Sequence, residues 1–306
     1  MYTIKRILVA LDLSDQDEVL LRYLSRLAQI RDLDKVYFLH VSPTLDIPGR
    51  ILEKYPDLLV PADESIRQNI DFACNRFLEL PAGVEQEVLV SQGQVVEQLV
   101  RTARQKLIDL VVMGRKNDAV ARLSLVRKAV RSAPCSVALI PEQIPNDLHS
   151  VLVPIDFSEN SLMALEQARF LAEKFPELTV KCLHIYDVPS GYSKTGKSYT
   201  EFAEVMKQNA QSECEEFLHH HGLSREGMEF HFLLRKDQDL PKLINQFAIS
   251  SQANAIVVGS KGRTAFAAML MGSVAERLVE NDQYLPLFVI KDKKAQMDWW
   301  DAAMQI

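Results

Sequence analysis

The chain has 306 residues, enough for two domains with full cores. Hydrophobic residues make up 47% and charged residues 25%, the mix of a globular protein in water. A net charge of −6 argues against a nucleic-acid binder, and no stretch approaches the ~20 apolar residues of a membrane span.

The N-terminus meets charge at Lys5 and Arg6, so no secretory leader is expected. Strands are predicted near 6–11, 35–41, 84–90, 109–113 and 136–140. They read as continuous Val/Ile/Leu runs, as parallel strands buried on both faces do. Helices are predicted near 15–30, 63–80, 94–106 and 119–132. In the first, Leu20, Leu24 and Leu27 form one apolar stripe, with Ser14 as candidate N-cap. The polar, proline-containing stretch "PEQIPNDLHS" (141–150) then marks a boundary, and the same unit begins again.

The repeat is legible residue by residue. "RILVALDLSDQDEVLLRYLSRLA" (6–28) aligns with "SVLVPIDFSENSLMALEQARFLA" (150–172), so Asp12 matches Asp156 and Ser14 matches Ser158. His40 of "VYFLHV" matches His184 of "VKCLHI" at the same spacing, and "LVVMG" (110–114) matches "AIVVG" (255–259). The expected domains are 1–143 and 147–306. Strand–helix alternation gives a doubly wound α/β sheet in each, with ligands beyond the strand C-termini where the winding reverses.

Three loops of the second half carry candidate chemistry. "VPIDFS" (153–158) ends the first strand with Pro154 and Asp156. That carboxylate can bond a ribose or a base, or Asp156 and Ser158 can simply cap the next helix. "VVGSKGRTAFAAMLMGSVAERL" (257–278) concentrates Gly259, Gly262 and Gly272, with Ser273 opening a helix. Close backbone approach and a helix N-terminus suit a phosphate, with Lys261 and Arg263 flanking. The alternative is a capped helix after a flexible turn, Ser273 and Glu276 having capping-box spacing. "GYSKTGKS" (191–198) fits the nucleotide-hydrolase pattern G-x-x-x-x-G-K-[ST]. Yet "DVPS" separates it from its strand, and that strand is not beside the switch point. A lid over the site, with Lys194 or Lys197 reaching a phosphate, is the reading preferred over a true P-loop.

"VPIDFS", "LHI" (183–185) and G-x2-G-x9-G-S (259–273) together resemble the universal stress protein family, and two units in one chain resemble its tandem members. The resemblance implies two five-stranded parallel sheets of order 3-2-1-4-5, packed as a pseudo-dimer through their last strands. It implies binding of ATP, with or without Mg, by the half that keeps the glycine motif. Carried over, Asp156 and the backbone of Ile155 and Ile185 hold adenosine, with Pro154 beside them. Gly262, Gly272 and Ser273 hold phosphates, and Val258, Gly259 and Val274 line the site. For Lys261 and Arg263, which flank the phosphate loop, two readings stand: assistance to the site, or simple solvation. The first half departs from the pattern: Ala10 replaces the proline, Asn117 stands for Gly262, and Arg127 and Lys128 stand for Gly272 and Ser273. Those long side chains are expected to fill the phosphate space, leaving a half that has lost the site and kept its structural role; the alternative is that the two cations bind some anion by a different geometry.

Four scattered cysteines without C-x-x-C suit buried thiols in a cytoplasmic protein, and His219–His221 suits a solvated helix end rather than a metal site. The tail "KKAQMDWWDAAMQI" (293–306) is expected to pack on a domain. The expected function is regulatory ATP binding in a stress response, with at most slow hydrolysis. The expected partner is an adenine nucleotide, without nucleic acid or membrane, and a homodimer is compatible with the repeat. The alternatives are a hydrolase or phosphotransferase using Lys197, and a partner-binding module without nucleotide.

Overall fold

The computed structural model describes residues 3–30, 33–45, 62–116, 120–145, 148–263, 271–281 and 284–293. The chain divides into two compact units, 2–144 and 145–291.

In the first unit, β1 (Arg6–Leu11), α1 (Gln16–Ile30), β2 (Lys35–Ser42), α2 (Ala62–Phe77), β3 (Glu85–Gln92), α3 (Val95–Gln105), β4 (Leu110–Arg115), α4 (Val120–Ser132) and β5 (Ser136–Pro141) follow in order. The strands lie in the order β3-β2-β1-β4-β5. β1 is parallel to both neighbours, with Ile7 opposite Val36 on one side and Leu110 on the other. Ile7, Leu8 and Val9 are fully buried, as are Val137 to Ile140 of β5. That two-sided burial is why these strands read as unbroken apolar runs. α2 stops at Phe77, short of the expected residue 80, because Pro81 pushes the residue before it out of helical geometry.

The second unit repeats the plan. Its elements are β6 (Ser150–Pro154), α5 (Glu159–Lys174), β7 (Thr179–Tyr186), α6 (Tyr199–His220), β8 (Met228–Leu234), α7 (Leu240–Ser250), β9 (Ala255–Gly259), α8 (Ser273–Asn281) and β10 (Leu287–Ile290). Its order is β10-β9-β6-β7-β8, with β6 parallel to β7 and β9. The connections leave β6 in opposite directions, so a crevice opens beyond the C-terminal ends of β6 and β9.

One boundary differs from the sequence reading. Asp292 and Lys293, expected in the second unit, group with the first. The Lys293 ammonium lies 2.6 Å from both Leu107 O and Asp109 Oδ1. Asp109 is buried and also accepts the Lys5 and Arg6 N–H groups, so a cation beside it offsets its desolvation. Trp299 and Trp300 lie outside the described residues.

All four cysteines are buried, and burial pushes the Cys74 thiol up to about 12. His219 and His220 occupy the exposed last turn of α6, and the His221 ring packs against Phe217. No helix among the described residues is long and apolar enough to cross a membrane.

Candidate functional site

The site is built on the β6–α5 turn. Ile155 continues the strand pairing, its N–H donating to Leu183 O at 2.9 Å. Its carbonyl accepts from the His184 ring at 2.9 Å. A carbonyl can only accept, so Nδ1 carries the proton and Nε2 is left as an acceptor. Burial lowers the His184 pKa, against the bond to Ile155, and keeps the ring neutral at pH 7. Phe157 then turns the chain with φ +62° and stacks on His184, ring centres 4.4 Å apart. Ser158 caps α5, its Oγ accepting from the Ser161 N–H.

Asp156 is the link across the crevice. Oδ1 accepts from the Ser158 N–H and hydroxyl at 3.1 and 2.6 Å. Oδ2 accepts from the Arg263 N–H at 2.8 Å. The capping alternative therefore holds for Ser158, while Asp156 ties this turn to the glycine loop after β9. A Cβ on Gly262 would lie 2.7 Å from Asp156 Oδ2, so a side chain there would break into that link.

Gly259 has a different reason from the expected phosphate approach. A Cβ there would lie 2.5 Å from the Asn160 carbonyl, so the glycine lets the start of α5 pack on the end of β9. Gly272 N–H donates to Ser260 O at 2.8 Å, and Gly272 O accepts from Glu276 N–H at 3.0 Å. Gly272 is thus the N-cap of α8 and Ser273 its first residue, which rules out the Ser273–Glu276 capping box. A glycine cap has no side chain to occupy the first N–H groups of the helix. Those of Ser273, Val274 and Ala275 are the ones an anion can take.

These parts enclose a cleft of about 470 Å³. All eleven residues singled out in the sequence line it: Pro154, Ile155, Asp156, Ile185, Val258, Gly259, Gly262, Arg263, Gly272, Ser273 and Val274. Leu183, His184, Leu240 and Ile244, which carry no site signal in the sequence, also line it. Leu240 and Ile244 stand four apart on α7, a spacing indistinguishable in sequence from core packing. Arg263 is at the rim: its guanidinium bonds Glu213 Oε2 at 3.0 Å and lies over the Phe157 ring, so its side chain is engaged outside the phosphate end.

The 191–198 segment does not line this cleft. Ser190–Thr195 form a 3₁₀ turn, and Gly196 reverses the chain with φ +74°. Ser198 caps α6 in a full capping box with Glu201. Glu201 accepts the Ser198 N–H at 2.8 Å and its hydroxyl at 2.7 Å. The helix start that a P-loop would offer to phosphate is already held by a carboxylate. The P-loop reading does not fit, and in this structure neither Lys194 nor Lys197 of the expected mobile lid lines the cleft.

In the first unit, the expected blockage by Arg127 and Lys128 is also not found. Both are exposed, and neither lines the corresponding cleft. The physical difference is that α4 runs unbroken from Val120 to Ser132. The N–H groups at 127–128 lie inside a helix rather than at its start, so the phosphate end is missing. Asn117 lies outside the described residues.

The family model for the universal stress protein family matches residues 3–141 and again 148–282. A universal stress protein of Methanocaldococcus jannaschii is 28% identical over 149 residues, 48% of this chain and 84% of that protein. Among solved structures, a universal stress protein from Archaeoglobus fulgidus aligns over 95% of this chain and 97% of its own, at 21% identity and TM-score 0.59. A functionally unknown protein from Pseudomonas aeruginosa aligns over 99% and 98%, at 14% identity and TM-score 0.65. With two matches that together span most of its length, the chain belongs to the universal stress protein family as a tandem member.

Proposed function

We propose that this protein binds ATP in the cleft of its second unit and acts as a regulatory, cytoplasmic stress-response protein rather than a metabolic enzyme. The observation that carries the reading is a single cleft lined both by apolar side chains and by a helix start capped by glycine. Ile185, Val258, Leu240 and Ile244 supply the apolar lining, which suits a flat base. The start of α8 after Gly272 suits phosphates. Asp156 is in the same lining, and a carboxylate with lone pairs to spare would accept from ribose hydroxyls. Mg, where it accompanies the nucleotide, would screen the phosphate charge.

The groups lining the cleft supply binding rather than turnover. His184 is neutral and spends its proton on Ile155 O, and Asp156 is bonded on both oxygens. The lining is thus arranged to hold a nucleotide whose presence changes what the protein contacts. Mass spectrometry of small molecules released from the purified chain tests the reading. Adenine nucleotide is expected, or uptake of added ATP by the emptied protein. A folded chain that neither carries nor takes up ATP overturns the reading and favours a module that works through protein contacts alone.

A further inference from the structure

The first unit keeps a cleft of about 320 Å³ beyond the ends of β1 and β4. We propose that it is a second ligand site, selective for an uncharged nucleoside such as adenosine over any nucleotide. The proposal rests on the reading of the second cleft as an ATP site.

The nucleoside end is retained position by position. Leu11, Asp12, Val41 and Met113 line the first cleft where Ile155, Asp156, Ile185 and Val258 line the second. Val95 and Leu99 of α3 form the wall that Leu240 and Ile244 of α7 form. The framework agrees as well as the lining. His40 Nδ1 bonds Leu11 O at 3.0 Å, as His184 does Ile155 O. Leu13 turns the chain with φ +61°, as Phe157 does with +62°.

The phosphate end is replaced. α4 offers no helix start there, as described above. Lys116 instead reaches back across the turn, its ammonium 2.6 Å from Asp12 Oδ2 and 2.5 Å from Ser14 Oγ. Its side chain is only 12% exposed, whereas that of Asp12 is 56% exposed and keeps room for a ribose hydroxyl. Asp17, also in the lining, is buried and accepts from the Asp12 and Leu13 N–H groups at 3.2 and 2.8 Å. The ionisable side chains among the described lining residues are thus Asp12, Asp17, His40 and Lys116. Among these described residues, two carboxylates stand against one already paired ammonium, so the described lining repels a polyanion. A neutral nucleoside meets no such repulsion.

Calorimetric titration separates the two clefts. Adenosine is expected to fill two sites on the unaltered chain and ATP one. Val95→Trp places an indole on the wall of the first cleft. It should reduce adenosine to one site and leave ATP at one. Hydrogen exchange on the unaltered chain needs no variant: adenosine should slow exchange at 95–99 and 10–17, and ATP should not. A single adenosine site with no protection at 95–99 overturns the proposal while leaving the second cleft's ATP site standing. Two ATP molecules per chain overturn the selectivity. Failure of ATP to bind, with protection of 95–99 by adenosine intact, strikes instead at the reading of the second cleft.

Discussion

Asp156 and the two glycines near it show how close the backbone runs at this site. Gly259→Ala would force a methyl against the Asn160 carbonyl, a contact no side-chain rotation relieves. Overpacking of this kind costs about 1–3 kcal/mol, and a denaturant titration without ligand should show it as a lowered midpoint. Gly262→Ala instead meets only the Asp156 carboxylate, so its cost should fall mainly on ATP affinity, measured calorimetrically. Asp156→Ala should weaken ATP by roughly 1–3 kcal/mol through the partners it leaves unpaired. In the first unit, burial and the neighbouring Asp12 charge raise Asp17 to about 6, against the N–H bonds it accepts. A folded pKa above the unfolded value means that the folded state binds more protons between the two. Asp17's contribution therefore grows as pH falls through 6 and shrinks as pH rises. Between pH 7 and 5 it should add about 1 kcal/mol to the first unit's stability, an increment absent in Asp17→Asn. Equal pH slopes for the two proteins would contradict the assignment.

At the scale of elements, the 191–198 segment is an ordered turn followed by a capped helix. Lys197→Ala should change ATP affinity by less than about tenfold, or ~1.4 kcal/mol, because the segment does not line the cleft. Ser198→Ala should cost about 1 kcal/mol of stability through the lost cap, leaving ATP affinity unchanged. Complete loss of binding in either folded variant would restore the P-loop reading. The capping box is legible in Ser198-x-x-Glu201, which is its signature, and Ser198 is also the last residue of the overlapping glycine-lysine pattern, so the same serine fits both motifs. Strands β1, β4 and β6 were legible because two-sided burial leaves an unbroken apolar run. The continuity of α4 was not: aligning Arg127 with Gly272 compares side chains, while the difference lies in where the helix starts. The reason for Gly259 was equally hidden, because sequence does not show which carbonyl comes near.

For the whole molecule, duplication has kept one architecture and let the two clefts diverge. Leu11, Asp12, Val41 and Met113 line the first cleft as Ile155, Asp156, Ile185 and Val258 line the second, and among the described residues the second joins them to a helix start capped by glycine. A Cβ at Gly272 would already press on the Lys261 backbone at 3.3 Å and the Gly262 nitrogen at 3.4 Å. An arginine there would also cover the free N–H groups of α8. Titration calorimetry of ATP into the whole chain, beside the Gly272→Arg variant, tests the central claim most directly. One ATP per chain is predicted for the unaltered protein and none for a folded variant. Two ATP sites, or affinity that survives Gly272→Arg, would contradict the account.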